Sequence, residues 1–149
     1  MKKIMIVLFS ILSFAIFIGC SNDEIKTKQV IDIVKEKTNI NIPLDVILME
    51  KYETPLFIHG ALPHYYIFCF DQEPKEFLSD NTFQDIKNDE IEQIIINKMK
   101  MSNEKYKLKI PKDSLIKFDE SYLFIYREDK YCLVYYPNDY KLIVFIFAI

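Results

Sequence analysis

Near the C-terminus, Leu142 to Ile149 runs for eight residues without a polar side chain, and no other stretch restricts the architecture as much. Eight residues are too few to cross a bilayer, which takes about 20 helical residues. The run must be buried within a protein, and an interior strand covered on both faces is the setting it fits. A helix is the expected cover for one face, and a partner is a candidate for the other. Two strand-like runs precede it, Tyr122 to Arg127 and Tyr131 to Tyr136, and the separators Glu128-Asp129-Lys130 and Pro137-Asn138-Asp139 have turn composition. Together the three runs read as an antiparallel meander.

The upstream chain supplies the remaining strands and their cover. From Glu24 to Thr38, Ile25, Val30, Ile31, Ile33 and Val34 recur at helical spacing among charges, which predicts an amphipathic helix. Asn39, Asn41 and Pro43 end it, and Leu44 to Tyr52 reads as a strand with apolar residues on both faces. A second strand is expected over His64 to Phe70, with Tyr66, Phe68 and Phe70 on one face and Tyr65, Ile67 and Cys69 on the other. Pro74 and Phe77-Leu78 suit a short helix within Asp71 to Asn81. Asp89 and Glu92 have the spacing of a capping box for a longer helix over Asp89 to Met99, lined by Ile91, Ile94, Ile95 and Met99. Lys105 to Ile110 alternates charged and apolar residues, the pattern of a half-buried edge strand guarded by lysines. The expected class is α+β: an antiparallel sheet of about five or six strands ending in the meander, with an N-terminal helix and one or two mid-chain helices packed on it. Residues 25–149 form its single domain.

Composition narrows the function. Half of the residues are apolar and 15% aromatic, which favours a packed core over disorder. Gly60 is the only glycine after Gly19, too few for a phosphate-cradling loop, which argues against nucleotide binding of the P-loop or Rossmann kind. The formal charge is −3, and Lys2 and Lys3 account for two of the 19 basic residues. The remainder is more acidic still, against general nucleic-acid binding. No cofactor motif is present.

The first twenty residues address location. Lys2 and Lys3 form a positive start, Ile4 to Ile18 an apolar stretch interrupted by Ser10 and Ser13, and Gly19 a small residue before Cys20, the pattern of a signal peptide over residues 1–19. Phe17-Ile18-Gly19-Cys20 resembles the lipobox of bacterial lipoproteins, with Phe17 standing where that family usually has an aliphatic residue. The resemblance implies that Cys20 carries a diacylglyceryl group after cleavage before it and is the lipid-attachment site. It also implies that residues 20–24 tether an extracytoplasmic domain to the membrane, the outer membrane in a Gram-negative cell. The order of elements in the domain is similar to that of small uncharacterised bacterial lipoproteins.

Candidate sites within the domain are few. His59 and His64 lie around Gly60 and Pro63, and as the only imidazoles they are weak metal candidates, with default reading as exposed loop histidines. No nucleophile elbow or reactive-cysteine signature is present, so no catalytic residue is assigned. With Cys20 lipidated, Cys69 and Cys132 are the one possible disulfide, free buried thiols being the other state. Tyr122, Phe124 and Tyr126, with Tyr131 and Tyr135 or with Cys132, Val134 and Tyr136, make aromatic stripes that suit a core before a ligand surface. Asp71 to Glu92 holds eight acidic residues against two lysines, and Asn97 to Lys117 seven lysines against two acidic residues. These read as two solvated faces, the second also as a surface for anionic lipid or an acidic protein. The expected function is a lipid-anchored module that binds a protein or envelope polymer through a sheet face or edge, an immunity or inhibitor protein being one form. An envelope hydrolase with catalytic residues dispersed along the chain is the alternative.

Overall fold

Leu142 to Ile146 of the apolar run lie in the middle strand of a sheet in the computed structural model, which describes residues 23–54, 62–85 and 87–147. The strands are β1 (Ile47–Glu53), β2 (His64–Cys69), β3 (Leu123–Arg127), β4 (Tyr131–Tyr136) and β5 (Lys141–Ile146), in the order β1-β2-β5-β4-β3. Every neighbouring pair is antiparallel, so the expected meander is present and the class is α+β. Turns with Asp129 and Tyr140 at φ of 54° and 50° join its strands, and the Lys130 N–H closes the first on the Arg127 carbonyl at 3.0 Å.

Period-two alternation divides the core between two layers. Leu142, Val144 and Ile146 of β5 share one face with Leu133, Tyr135, Tyr66 and Phe68, where α1 (residues 23–38) contributes Val30, Ile31 and Val34 and α2 (Lys75–Asp80) contributes Phe77. Ile143 and Phe145 share the other face with Cys132, Val134, Tyr136, Tyr65 and Ile67, under Ile95 and Met99 of α3 (Asp89–Glu104) and under Leu108, Ile110 and Ile116. The chain therefore covers both faces of β5 itself, and no partner is needed for the second.

The helix ends follow from side-chain chemistry. Asn39 takes φ 59° just past α1, and the Thr38 hydroxyl donates to the Val34 carbonyl at 2.7 Å while accepting from the Ile40 N–H at 3.1 Å. Asn88, not Asp89, caps α3: its backbone is extended and its Oδ1 accepts from the N–H groups of Glu90 and Ile91, both at 3.1 Å. Asp89 is already helical, and the Glu92 carboxylate accepts instead from the Tyr122 hydroxyl. The helix also continues past the expected Met99 because Ser102, buried on its inner side, and Asn103 hold the segment that follows.

That segment, Lys105 to Ile110, is not a strand. The burial alternates as expected, with Leu108 and Ile110 inside, but the hydrogen bonds go to α3. The Leu108 N–H donates to the Ser102 carbonyl at 3.2 Å, and the Asn103 amide donates to the Ile110 carbonyl at 3.2 Å and accepts from its N–H at 2.9 Å. Lys107 and Lys109 both adopt φ 59°, which costs a residue with a Cβ about 1–2 kcal/mol. One side-chain amide thus does what an adjacent strand would have done. Asn103→Ala should leave both backbone groups of Ile110 without partners and lower unfolding free energy by about 1–3 kcal/mol in a denaturant titration.

Candidate functional site

The sheet's two edges are treated differently. On β3, the Phe124 N–H donates to the Gln84 carbonyl at 2.8 Å and its carbonyl accepts from the Gln84 N–H at 2.9 Å, which caps that edge. The outer edge of β1 has no backbone partner among the described residues. Met49 is the extra residue of a bulge, since Leu48 faces Phe68 while Glu50 faces Ile67. The strand begins at Ile47, with Leu44 in a turn and 72% exposed; of the apolar residues expected to fill two faces, Val46 is buried and Leu48 packs on the α1-side core, whereas Ile47 is 52% and Met49 60% exposed. Ile47 and Met49 lack cover because they lie on an edge strand and its bulge.

Beside this edge lies a groove of about 270 Å³. Its apolar lining is Ile67 of β2, Ile143 of β5, Met49 of β1 and Leu115, which follows the short helical turn Lys112–Ser114. That turn is bonded to the sheet: the Ser114 hydroxyl donates to Glu50 Oε2 at 2.7 Å, and the Tyr65 hydroxyl donates to the Ser114 carbonyl at 2.7 Å. Tyr52 also donates to Glu50, and burial together with that carboxylate raises its hydroxyl above the ordinary tyrosine value. Glu50, Asp113 and Asp139 line the groove with one cation, Lys141, whose Nζ lies 3.9 Å from Asp139 and 4.6 Å over the Tyr136 ring. The site offers an apolar cleft with an acidic rim.

Cys69 lies in this groove, its Sγ 3.8 Å from the Asp139 carbonyl. Cys132 is buried on the same face but in the row of Phe145 and Tyr65. Tyr65 is four residues from Cys69, roughly 13 Å along β2, and Cys132 is two strand spacings of about 4.8 Å away. A disulfide needs Cα atoms within about 7 Å, so the pairing does not form and both thiols are free. Burial pushes the Cys132 thiol far above its ordinary value, which makes it unreactive.

His64 stands at the opposite end of β2 from Cys69. Its Nδ1 lies 3.0 Å from the Tyr66 hydroxyl, which donates to Glu53 Oε1 at 2.9 Å, and Lys51 Nζ reaches Glu53 Oε2 at 3.2 Å. The ring is half-buried and stacked on Tyr66 at 5.8 Å, not on an exposed loop. Burial lowers its affinity for a proton, with Lys37 assisting and Glu53 opposing. Burial likewise opposes charge on Glu53, but the bonds from Tyr66 and Lys51 and the charges of Lys51 and His64 outweigh it and hold the carboxyl below its ordinary value. The structure thus joins His64 to an acid and a phenol, and brings it to neither Cys69 nor Ser114. Cys20 and His59 lie outside the described residues.

The remaining candidates fall in the core or on the surface. Tyr122, Phe124 and Tyr126 face α3 with Cys132, Val134 and Tyr136, while Tyr131 and Tyr135 face α1. Among the described residues, no group of three or more His, Cys, Asp or Glu side chains converges on a metal site, and no helix is long and apolar enough to cross a membrane. The open edge and its groove had no motif in the sequence, since their parts come from β1, β2, β5 and two loops. No protein-family model, curated protein or solved structure matches the chain.

Two outcomes follow from these environments. Unfolded His64 takes up its proton near the ordinary value of 6.5 and the folded residue only at lower pH. The stability it contributes above that value should therefore decline as pH falls below about 6.5, with Glu53 adding a further loss below its ordinary 4.5. His64→Asn should flatten the first step in denaturant titrations at pH 5 and pH 7.5. Alkylation of the native protein followed by mass spectrometry should modify Cys69, which is partly exposed, and reach Cys132 only on unfolding.

Proposed function

We propose that the protein is a lipid-anchored binding module of a bacterial cell envelope, taking an extended protein segment along β1 and the adjoining groove. The single observation that carries the binding reading is the β1 edge, uncapped among the described residues, beside an apolar cleft with an acidic rim. An added strand would gain main-chain hydrogen bonds from β1 and specificity from one side chain in the groove. Ile67, Ile143, Met49 and Leu115 suit an apolar side chain there, and Glu50, Asp113 and Asp139 suit a basic neighbour. The lipobox-like residues Phe17 to Cys20 support the anchor: lipid on Cys20 holds the domain outside the membrane, and acyl chains contribute about 0.8 kcal/mol per buried methylene. An inhibitor or immunity protein that captures a strand of a secreted toxin is one form of such a module.

A photoreactive residue placed at Met49 in the membrane-bound protein should crosslink a discrete partner segment, and the same residue at Lys75 on α2 should not. Equal labelling from both positions would sink the edge reading. Cys20→Ser should release the protein from the membrane fraction and abolish fatty-acid labelling, and a variant that stayed cleaved and membrane-bound would overturn the anchor.

A further inference from the structure

The basic stretch at the end of α3 contains a surface that the groove does not use. Ile96, Lys100 and Asn103 lie on one stripe of α3 at i, i+4 and i+7. Asn103 is bonded to Ile110, so this stripe adjoins the Lys109 to Lys112 end of the segment that also bears Lys105 and Lys107. All five lysines are exposed, and none pairs with a carboxylate among the described residues. Neighbouring lysines are engaged: Lys98 meets Asp129 at 2.9 Å and the Phe147 ring at 4.8 Å, and Lys117 meets Glu120 at 3.9 Å.

The backbone gives the cluster a second distinguishing feature. Lys107 and Lys109 both occupy the left-handed region, where glycine or asparagine is relaxed and a lysine Cβ is crowded. Buried Leu108 and Ile110 alternate with them and turn both ammonium stems outward. What lysine offers over glycine at these two positions is a charge, and strain retained in this way is characteristic of working surfaces.

We infer that Lys100, Lys105, Lys107, Lys109 and Lys112 form a docking ridge for an acidic protein segment, one whose carboxylates are interspersed with apolar side chains. Lysines present point charges without the planar fork that fits phosphate bidentately. Apolar surface accompanies them at two places: Ile96, 38% exposed, one turn before Lys100, and Tyr106, partly exposed with Lys105 Nζ 5.1 Å from its ring. A phosphate chain has nothing to place against Ile96 and Tyr106, whereas a Glu- and Leu-containing segment does.

The full protein can be titrated with a fluorescent glutamate-rich peptide containing spaced leucines, with inorganic polyphosphate and with phosphatidylglycerol vesicles. The peptide should bind best, with affinity falling as salt rises. The variant K105E/K107E/K109E should weaken it by at least about tenfold, while K28E/K35E/K130E, an equal charge change elsewhere, should leave it unchanged. The variant K107G/K109G separates fold from function: it should melt at a higher temperature than the parent and bind the peptide several-fold less tightly. Undiminished binding by K107G/K109G, equal loss in the K28E/K35E/K130E control, or tighter binding of polyphosphate or vesicles than of the peptide would overturn the assignment.

Discussion

Leu142, Ile143, Val144, Phe145 and Ile146 of β5 are all buried, so this strand is stable only when both of its faces are covered at once. Each such side chain contributes about 1.5–3 kcal/mol on burial, comparable per pair to a large part of a domain's net stability of about 5–15 kcal/mol. Losing either helical layer would expose half of the strand and its neighbours. This couples α1 to α3 although they lie on opposite faces: each holds the sheet that the other packs on. It also explains why residues 70–122 carry α2 over one face, pass the β3 edge at Gln84 and lay α3 and Leu108 to Ile116 across the other.

A sheet covered on both faces still has two edges, and among the described residues only one is capped. Gln84 occupies the β3 edge because the chain must pass it to change layers. None of the described residues runs back along β1, and the bulge at Met49 interrupts that edge. A bulge twists a strand and discourages flat pairing with an identical copy, so β1 is protected from indiscriminate extension while its outer edge has no partner among the described residues. The Glu50, Ser114 and Tyr65 bonds then fix the Lys112–Ser114 turn beside it. The groove is thus a consequence of the edge together with one anchored turn.

The faces of β2, β4 and β5 were legible in the sequence because side-chain direction alternates with each residue. Tyr66 and Phe68 separate from Tyr65 and Ile67 in the structure as that rule requires. Lys105 to Ile110 obeys the same alternation without being a strand, since burial records only which side chains point inward. What satisfies the backbone there is the Asn103 amide, a residue seven positions before its partner Ile110, and no periodicity announces it. Apolar content likewise could not tell that Ile47 and Met49 belong to an uncovered edge. For the site, the expected strand already set His64 and Cys69 near its two ends, and what the sequence did not announce is the register of β1 on β2 that brings Glu53 opposite His64 and within reach of Tyr66.

The two ends of α1 contribute unequally to the fold. Residues 23–26 of α1 are exposed, and its first core residue is Val30. Its far end is fixed, with the Tyr131 hydroxyl donating to the Thr38 carbonyl at 3.1 Å and the Thr38 side chain buried. A pull on the start of α1 therefore meets a turn that contributes little to the core, while the contacts that hold the sheet lie beyond it. Fraying that first turn removes no residue from the apolar layers, so α1 can open at its start without disturbing the β5 core on which the protein's surfaces depend.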